Sequence, residues 1–292
     1  MHTKPMIRLF ALLSVSMLVA AFVFAPETSQ NTGACCTVSA VEEFARLADD
    51  PKFREAHALP RPLTEALKKG EMVSFPTVGE KPARAFVVNN SKRARKVIFM
   101  IHEWWGLNEH IRQEAVKYQE ALGKNVMVVA LDLYDGNVAT TREEASKYMQ
   151  EVSEVRAREI IHGAYNYAGT NRDIATIGWC FGGGWSLQTA ILLGQNVEAC
   201  VMYYGMPEKA TDKLKRLKAP VLGVFAEKDK WITPEVVDTF AEKLKSLNHP
   251  VEIKMYDADH AFANPTGDRY NEAAAQDARK HTLEFLREEL NL

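Results

Sequence analysis

Ile177-Gly178-Trp179-Cys180-Phe181-Gly182-Gly183-Gly184 is the stretch on which the fold turns. An apolar run enters it and a helical pattern leaves it, with a cysteine at the corner and glycines two residues before and after. The spacing is G-x-C-x-G, a strand-to-helix elbow with cysteine where serine is usual. The requirement is steric: the corner residue sits in a strained backbone conformation, and small flanking residues let strand and helix backbones approach each other. The side chain then projects above a sheet edge, where the helix N-terminus adds a positive field that favours a thiolate and later an oxyanion. Without that setting the motif reads equally as a buried, inert cysteine beside a glycine-rich turn.

The surroundings supply the setting. From Gly70 onward, expected strands cover 71–76, 83–88, 97–102, 126–131, 174–179, 199–204, 221–225 and 251–255. Helical patterns cover 109–122, 141–168, 182–193, 234–247 and 270–289. Several strands are continuous apolar runs, as for parallel strands buried on both faces. The first two have no helix between them and read as an antiparallel hairpin. The rest is β-α-β repetition, so the fold class is α/β, a mostly parallel doubly wound sheet flanked by helices.

Two further groups complete a reactive set. A cysteine nucleophile needs a base, and the base an orienting acid. Chain order in this architecture is nucleophile, acid, histidine. Asp229 follows the strand at 221–225 and His260 the strand at 251–255, both at the carboxyl edge where such sheets place their sites. Asp257, Asp259 and Glu227 are rival orienters. Of the eight histidines, His57, His110, His162, His249 and His281 lie in polar helical or loop surroundings and read as solvated. The segment from Ile101 to Asn108 follows a strand and precedes a helix, so the backbone N–H groups of Trp104 and Phe181 are the expected oxyanion pair.

Outside this region, Lys4 and Arg8 precede an uncharged apolar run from Leu9 to Ala25, with Val23 and Ala25 positioned for cleavage before Pro26. Residues 1–25 therefore read as a signal peptide and the protein as exported, periplasmic or secreted. The run is short for a spanning helix, and an uncleaved anchor is the alternative. Residues 26–69 read as a linker followed by a helical extension, with Val41, Phe44, Ala45 and Leu47 on one face and Pro51, Pro60 and Pro62 as interruptions. Residues 70–292 form the main domain. The chain has 292 residues, 47% of them hydrophobic, enough for one core of ordinary size. Its formal charge is −2, and loss of Lys4 and Arg8 with the leader takes it to −4. That balance, with no Lys/Arg block of the kind nucleic-acid binding needs, points away from nucleic acid as a partner, and no stable membrane insertion is expected after cleavage. Four cysteines in so long a chain are not a disulfide framework. Cys200 reads as core, and the Cys35–Cys36 pair stands too far past the apolar run for a lipid anchor. His102 and Glu103 are adjacent and lack visible partners, so no metal or cofactor is expected.

Taken together, four motifs resemble those of dienelactone hydrolases, a family of the α/β-hydrolase superfamily. They are His102-Glu103-Trp104-Trp105-Gly106, Asp132-Leu133-Tyr134, Gly178-Trp179-Cys180-Phe181-Gly182-Gly183 and Asp259-His260-Ala261-Phe262, and the match spans about residues 70–292. The resemblance implies a Cys180-His260-Asp229 triad, an acyl-cysteine intermediate, and a supporting Glu103 that contacts the resting thiol. It also implies arginines that hold a substrate carboxylate, and at those places this chain has Gly136 and Asn264. A buried carboxylate without a cation is costly. The expected substrate is therefore a small ester, lactone or thioester other than an anionic dienelactone. Trp105, Tyr134, Trp231 and Phe262 are candidate pocket residues, and Trp185 reads as core. The alternative is a redox-active or ligand-binding protein using Cys180 on a non-catalytic hydrolase fold.

Overall fold

A computed structural model describes residues 39–63 and 66–292. The expected signal peptide, the linker over 26–36 and the Cys35–Cys36 pair lie outside the described residues. Among the described residues, no helix is long and apolar enough to cross a membrane.

The described chain opens with α1 (Ala40–Arg46), a 3₁₀ turn and α2 (Pro51–Ala56). Ser39 and Glu42 form a capping box on α1. Pro51 was expected to interrupt a helix and instead begins one: Asp50 caps α2 from the side, accepting from Lys52 N at 2.9 Å. At the first helical position proline has no N–H to lose and its φ is already helical.

An eight-stranded sheet follows: β1 (Glu71–Phe75), β2 (Ala83–Val88), β3 (Lys96–Ile101), β4 (Val126–Leu131), β5 (Asp173–Trp179), β6 (Val197–Tyr203), β7 (Val221–Ala226) and β8 (Val251–Tyr256). Their spatial order is β1-β2-β4-β3-β5-β6-β7-β8. Only β2 runs against the others, antiparallel to both β1 and β4. Every residue of β4 is buried, and so is every residue of β3 and β5 after the first. That is why these strands appear in the sequence as unbroken apolar runs.

The connections carry α3 (Glu109–Leu122), α4 (Arg142–Glu151), α5 (Glu154–Ala168), α6 (Phe181–Leu193), the single turn α7 (Thr211–Leu214), α8 (Pro234–Ser246) and α9 (Glu272–Glu289). α3 packs with α9, and α1 lies against α6. The helix expected over 141–168 is two helices. Val152 is extended, and the Ser153 hydroxyl accepts from Arg156 N at 3.1 Å, starting α5 afresh. Apolar spacing carries through such a break, so periodicity alone does not reveal it.

This topology gathers the carboxyl ends of β3, β5, β6, β7 and β8 along one edge. The residues that follow them are Glu103, Cys180, Tyr204, Asp229 and His260, each from a different loop.

Candidate active site

Cys180 stands at the corner between β5 and α6 with φ 56° and ψ −120°, in the strained region open to few side chains. A Cβ on Gly178 would overlap the Gly182 carbonyl, and one on Gly182 would overlap the carbonyls of Ile101 and His102. The two glycines are therefore required by close backbone approach, as their spacing implied.

The thiol is 1% exposed. Its Sγ lies 3.3 Å from His260 Nε2, while His260 Nδ1 donates to Asp229 Oδ2 at 2.6 Å. The other Asp229 oxygen, Oδ1, accepts from the backbone N–H groups of Trp231 (2.9 Å) and Ile232 (3.0 Å). Burial opposes the Asp229 charge, but His260 and these hydrogen bonds hold its carboxyl below the usual value. Of the carboxylates that compete for His260 in the sequence, Asp229 is the one bonded to it; Asp257 points to solvent and pairs with Lys228.

Burial, and then the neighbouring Glu103 charge, push the Cys180 thiol well above its ordinary range, while the Phe181 and Trp104 N–H groups at the sulfur act the other way. The resting group is a neutral thiol with both expected oxyanion donors already beside it. His102 sets the Trp104 side of that pair. Its Nδ1 donates to the Glu103 carbonyl at 2.7 Å and its Nε2 accepts from Leu133 N at 3.2 Å. It thereby ties the loop after β3 to the end of β4 as a neutral ring, burial lowering its pKa to about 4.

Glu103 is 5% exposed. Its hydrogen bonds run to Asn264 Nδ2 and, at 3.5 Å, to the Tyr204 hydroxyl. Asn264, which stands where the resemblance implies an arginine, has its amide committed to this carboxyl. Asn264 Oδ1 accepts from Thr266 N and Oγ1 at 2.8 and 2.7 Å.

Burial pushes the Glu103 carboxyl up to about 7, against the opposing pull of its two hydrogen bonds. Because this folded-state value exceeds the unfolded one, the folded protein holds an extra proton between about pH 4.5 and 7. The resulting stability is complete below the unfolded pKa and is lost as pH rises through 7, by at most ~3 kcal/mol. Glu103→Gln stays neutral and keeps an acceptor for Asn264. Its urea midpoint should vary less than the wild-type midpoint between about pH 5 and 8, the variant gaining relative stability at the upper end. Parallel pH profiles for the two proteins would exclude this account.

Two histidines read as solvated are buried. His57 is 7% exposed, with its Nε2 3.7 Å from Cys180 Sγ and its Nδ1 2.7 Å from the Phe53 carbonyl. Burial and the nearby His260 lower its pKa to about 3, so the ring is neutral. The signal was present: His57 follows Phe53 by four residues and shares its helix face. His110, also read as solvated, is buried on α3.

Phe53 and His57 sit over the thiol. Phe53 packs on Trp104 (5.4 Å between ring centroids) and Trp231 (5.2 Å), and His57 stacks on Trp104 at 4.9 Å. The roof is pinned by Trp231 Nε1 donating to Asp50 Oδ2 at 3.1 Å and Arg142 Nε to the His57 carbonyl at 2.8 Å. Among the expected pocket residues, Trp231 borders His260 at 5.9 Å. Tyr134 packs on Phe181 and donates to the Trp104 carbonyl at 3.2 Å. Trp105 stands edge-on behind Trp104, and Phe262 is fully buried behind Tyr204. Trp185 is buried in α6, as its pattern implied.

His57, Cys180 and His260 bring three donor atoms within 4.8 Å of one another. The sequence showed no such cluster, because all three come from segments far apart in the chain and His57 read as solvated.

The model of the Dienelactone hydrolase family matches residues 83–290. A curated relative, protein usf of Aquifex pyrophilus, is 28% identical over 231 residues, covering 76% of this chain and 99% of that protein. Among solved structures, a dienelactone hydrolase-like promiscuous phosphotriesterase from metagenomic libraries aligns with TM-score 0.66 at 18% identity, covering 76% of this chain and 98% of that one. The dienelactone hydrolase of Anabaena variabilis aligns with TM-score 0.56 at 19% identity, covering 77% and 100%. At these identities the structural likeness speaks for the fold.

Proposed function

The chain belongs to the dienelactone hydrolase family, and from that premise we propose that it hydrolyses a small uncharged ester, lactone or thioester through an acyl-cysteine intermediate on Cys180. The observation that carries this reading is the unbroken line from Asp229 Oδ2 through His260 to Cys180 Sγ, 2.6 Å and 3.3 Å long, beside two converging backbone N–H groups. His260 Nε2 has its lone pair toward the thiol, because Nδ1 carries the proton given to Asp229. As Sγ attacks the acyl carbon, its proton passes to His260. The imidazolium that forms is stabilised by Asp229, and the oxyanion by the N–H groups of Phe181 and Trp104. Each such donor is worth ~3–4 kcal/mol in the transition state. His260 then protonates the leaving alcohol or thiol, and water attacks the thioester with His260 as base.

What supports an uncharged substrate is the pair of residues standing where the family resemblance implies arginines. Asn264 is spent on Glu103, and Gly136 has no side chain to offer, so neither supplies the cation that a substrate carboxylate needs. The rings of Trp104, Trp231 and Phe53 favour an apolar or aromatic acyl group. The test is a panel of neutral p-nitrophenyl and thiophenyl esters and lactones, with acid-quenched protein weighed by mass spectrometry during turnover. An adduct of acyl mass on the peptide containing Cys180 is expected. Turnover across the panel no faster than that of a Cys180→Ala control, with no adduct, would overturn the reading.

A further inference from the structure

His57 is the buried group that this mechanism leaves unused. It lies outside the stretch matched by the family model, on the α2 extension. Its Nδ1–H is committed to the Phe53 carbonyl, so the Nε2 lone pair faces Cys180 and has no other hydrogen-bond partner among the described residues. The thiol thus lies between two imidazole lone pairs, each ring held by its far nitrogen: His260 by the Asp229 carboxylate, His57 by a backbone carbonyl. Such outer partners are what metal-ligating histidines characteristically have.

The spacing fits a tetrahedral ion. With metal–sulfur and metal–nitrogen bonds of about 2.3 and 2.0–2.1 Å, ligand atoms around such an ion stand roughly 3.3–3.6 Å apart. Cys180 Sγ is 3.3 Å from one imidazole nitrogen and 3.7 Å from the other, and all three atoms fall within 4.8 Å. The two imidazole nitrogens, at most 4.8 Å apart, would draw together to roughly 3.3 Å around the ion. A thiolate with two neutral imidazoles is a soft-to-borderline donor set, suited to Zn²⁺ rather than to Mg²⁺ or Ca²⁺.

We propose that His57 Nε2, Cys180 Sγ and His260 Nε2 form a zinc site, with water as fourth ligand, which holds the α2 segment over the nucleophile and switches the enzyme off. The ion replaces the thiol proton, which leaves to solvent as the metal–sulfur bond forms. It also occupies the His260 lone pair, so neither nucleophile nor base is free. The binding claim stands on the three side chains alone, and the inhibition claim rests on the acyl-cysteine reading.

The test uses the full-length protein, stripped of metal and titrated with Zn²⁺ and with Co²⁺ as a spectroscopic substitute. One ion per chain is expected, with a near-ultraviolet thiolate-to-cobalt charge-transfer band. X-ray absorption of the zinc-loaded wild type should read one sulfur and two imidazole nitrogens at roughly 2.3 and 2.0–2.1 Å. Cys180→Ser should abolish the band, and folded His57→Gln should bind at least ~100-fold more weakly, since loss of an outer partner alone costs 10–100-fold. A sulfur-free shell, a band that survives Cys180→Ser (metal on Cys35 or Cys36), or unchanged affinity in His57→Gln would overturn the site. These readouts need no turnover. An inactive protein that binds zinc this way would sink the esterase reading and leave the site standing, and an active esterase without the binding would do the reverse.

Discussion

Replacing Cys180 with alanine is expected to lower kcat/KM on the best ester of the panel by at least ~10⁴-fold. The magnitude follows from the nucleophile's place in a unit that acts together. When the attacking group is gone, the base and its orienting acid have nothing to activate, and only binding and the oxyanion donors remain. Alanine is a clean probe, because it removes Sγ without adding volume at a position 1% exposed and keeps a Cβ in the strained corner. Cys180→Ser should also lose most activity. The C–O bond is shorter than C–S, so the hydroxyl sits farther from His260 than the 3.3 Å of the thiol, and a serine hydroxyl is harder to deprotonate. Steady-state kinetics on variants with wild-type circular dichroism decide the matter. Alanine activity above about a tenth of wild type would rule Cys180 out as nucleophile, and a fully active serine variant would mean the thiol is not needed.

The second large effect concerns Asp229. Asp229→Asn should reduce kcat by ~10⁴-fold with little change in stability or KM, because it forces the wrong tautomer on His260. The asparagine has one carbonyl oxygen, and the N–H groups of Trp231 and Ile232 both claim it. Its NH₂ then faces His260 Nδ1 and requires a lone pair there. The ring proton shifts to Nε2, which now donates toward Cys180 instead of accepting from it. The variant's rate should climb with pH over the range where the wild type is level, because hydroxide must then remove the thiol proton. Asp257→Asn, altered at an exposed residue paired with Lys228, should leave kcat within about twofold. If Asp229→Asn kept a tenth or more of the wild-type kcat, or if Asp257→Asn lost as much, the assignment of the orienting acid would be wrong.

The zinc site and the esterase reading meet at the same thiol, and His57 separates them. It is a ligand in the first and absent from the chemistry of the second. Because His57 stands at the end of α2, the proposed zinc site would tie that segment to the thiol.

The parts of this protein legible in its sequence are those with a local cause. Strands β3, β4 and β5 are buried on both faces and therefore appear as apolar runs, which is enough to identify a mostly parallel sheet. The elbow at Cys180 needs small residues at fixed offsets, so Gly178 and Gly182 mark it without reference to anything distant. Asp229 and His260 follow strands in an order that the architecture dictates, which narrows the candidates for base and orienting acid to a few residues. The break at Val152–Ser153 and the start of α2 at Pro51 also have local causes, a hydroxyl cap and a proline at the first helical position, but apolar periodicity passes over both.

What only the tertiary structure decided is what covers these residues and which polar partners they keep. His57 in isolation is one more histidine in a polar stretch. It becomes a buried neighbour of the thiol because Asp50 and the His57 carbonyl are anchored by Trp231 and Arg142, 181 and 85 residues away. Asn264 is an absent arginine in the sequence and a hydrogen-bond donor to Glu103 in the fold, 161 residues away. Burial and hydrogen bonding over such separations depend on where loops from different strands converge, and no spacing within one segment records that. The sequence by itself determined the sheet, the elbow and the order of Cys180, Asp229 and His260. The folded chain decided that a second imidazole faces the same sulfur, and that the site lies closed beneath it.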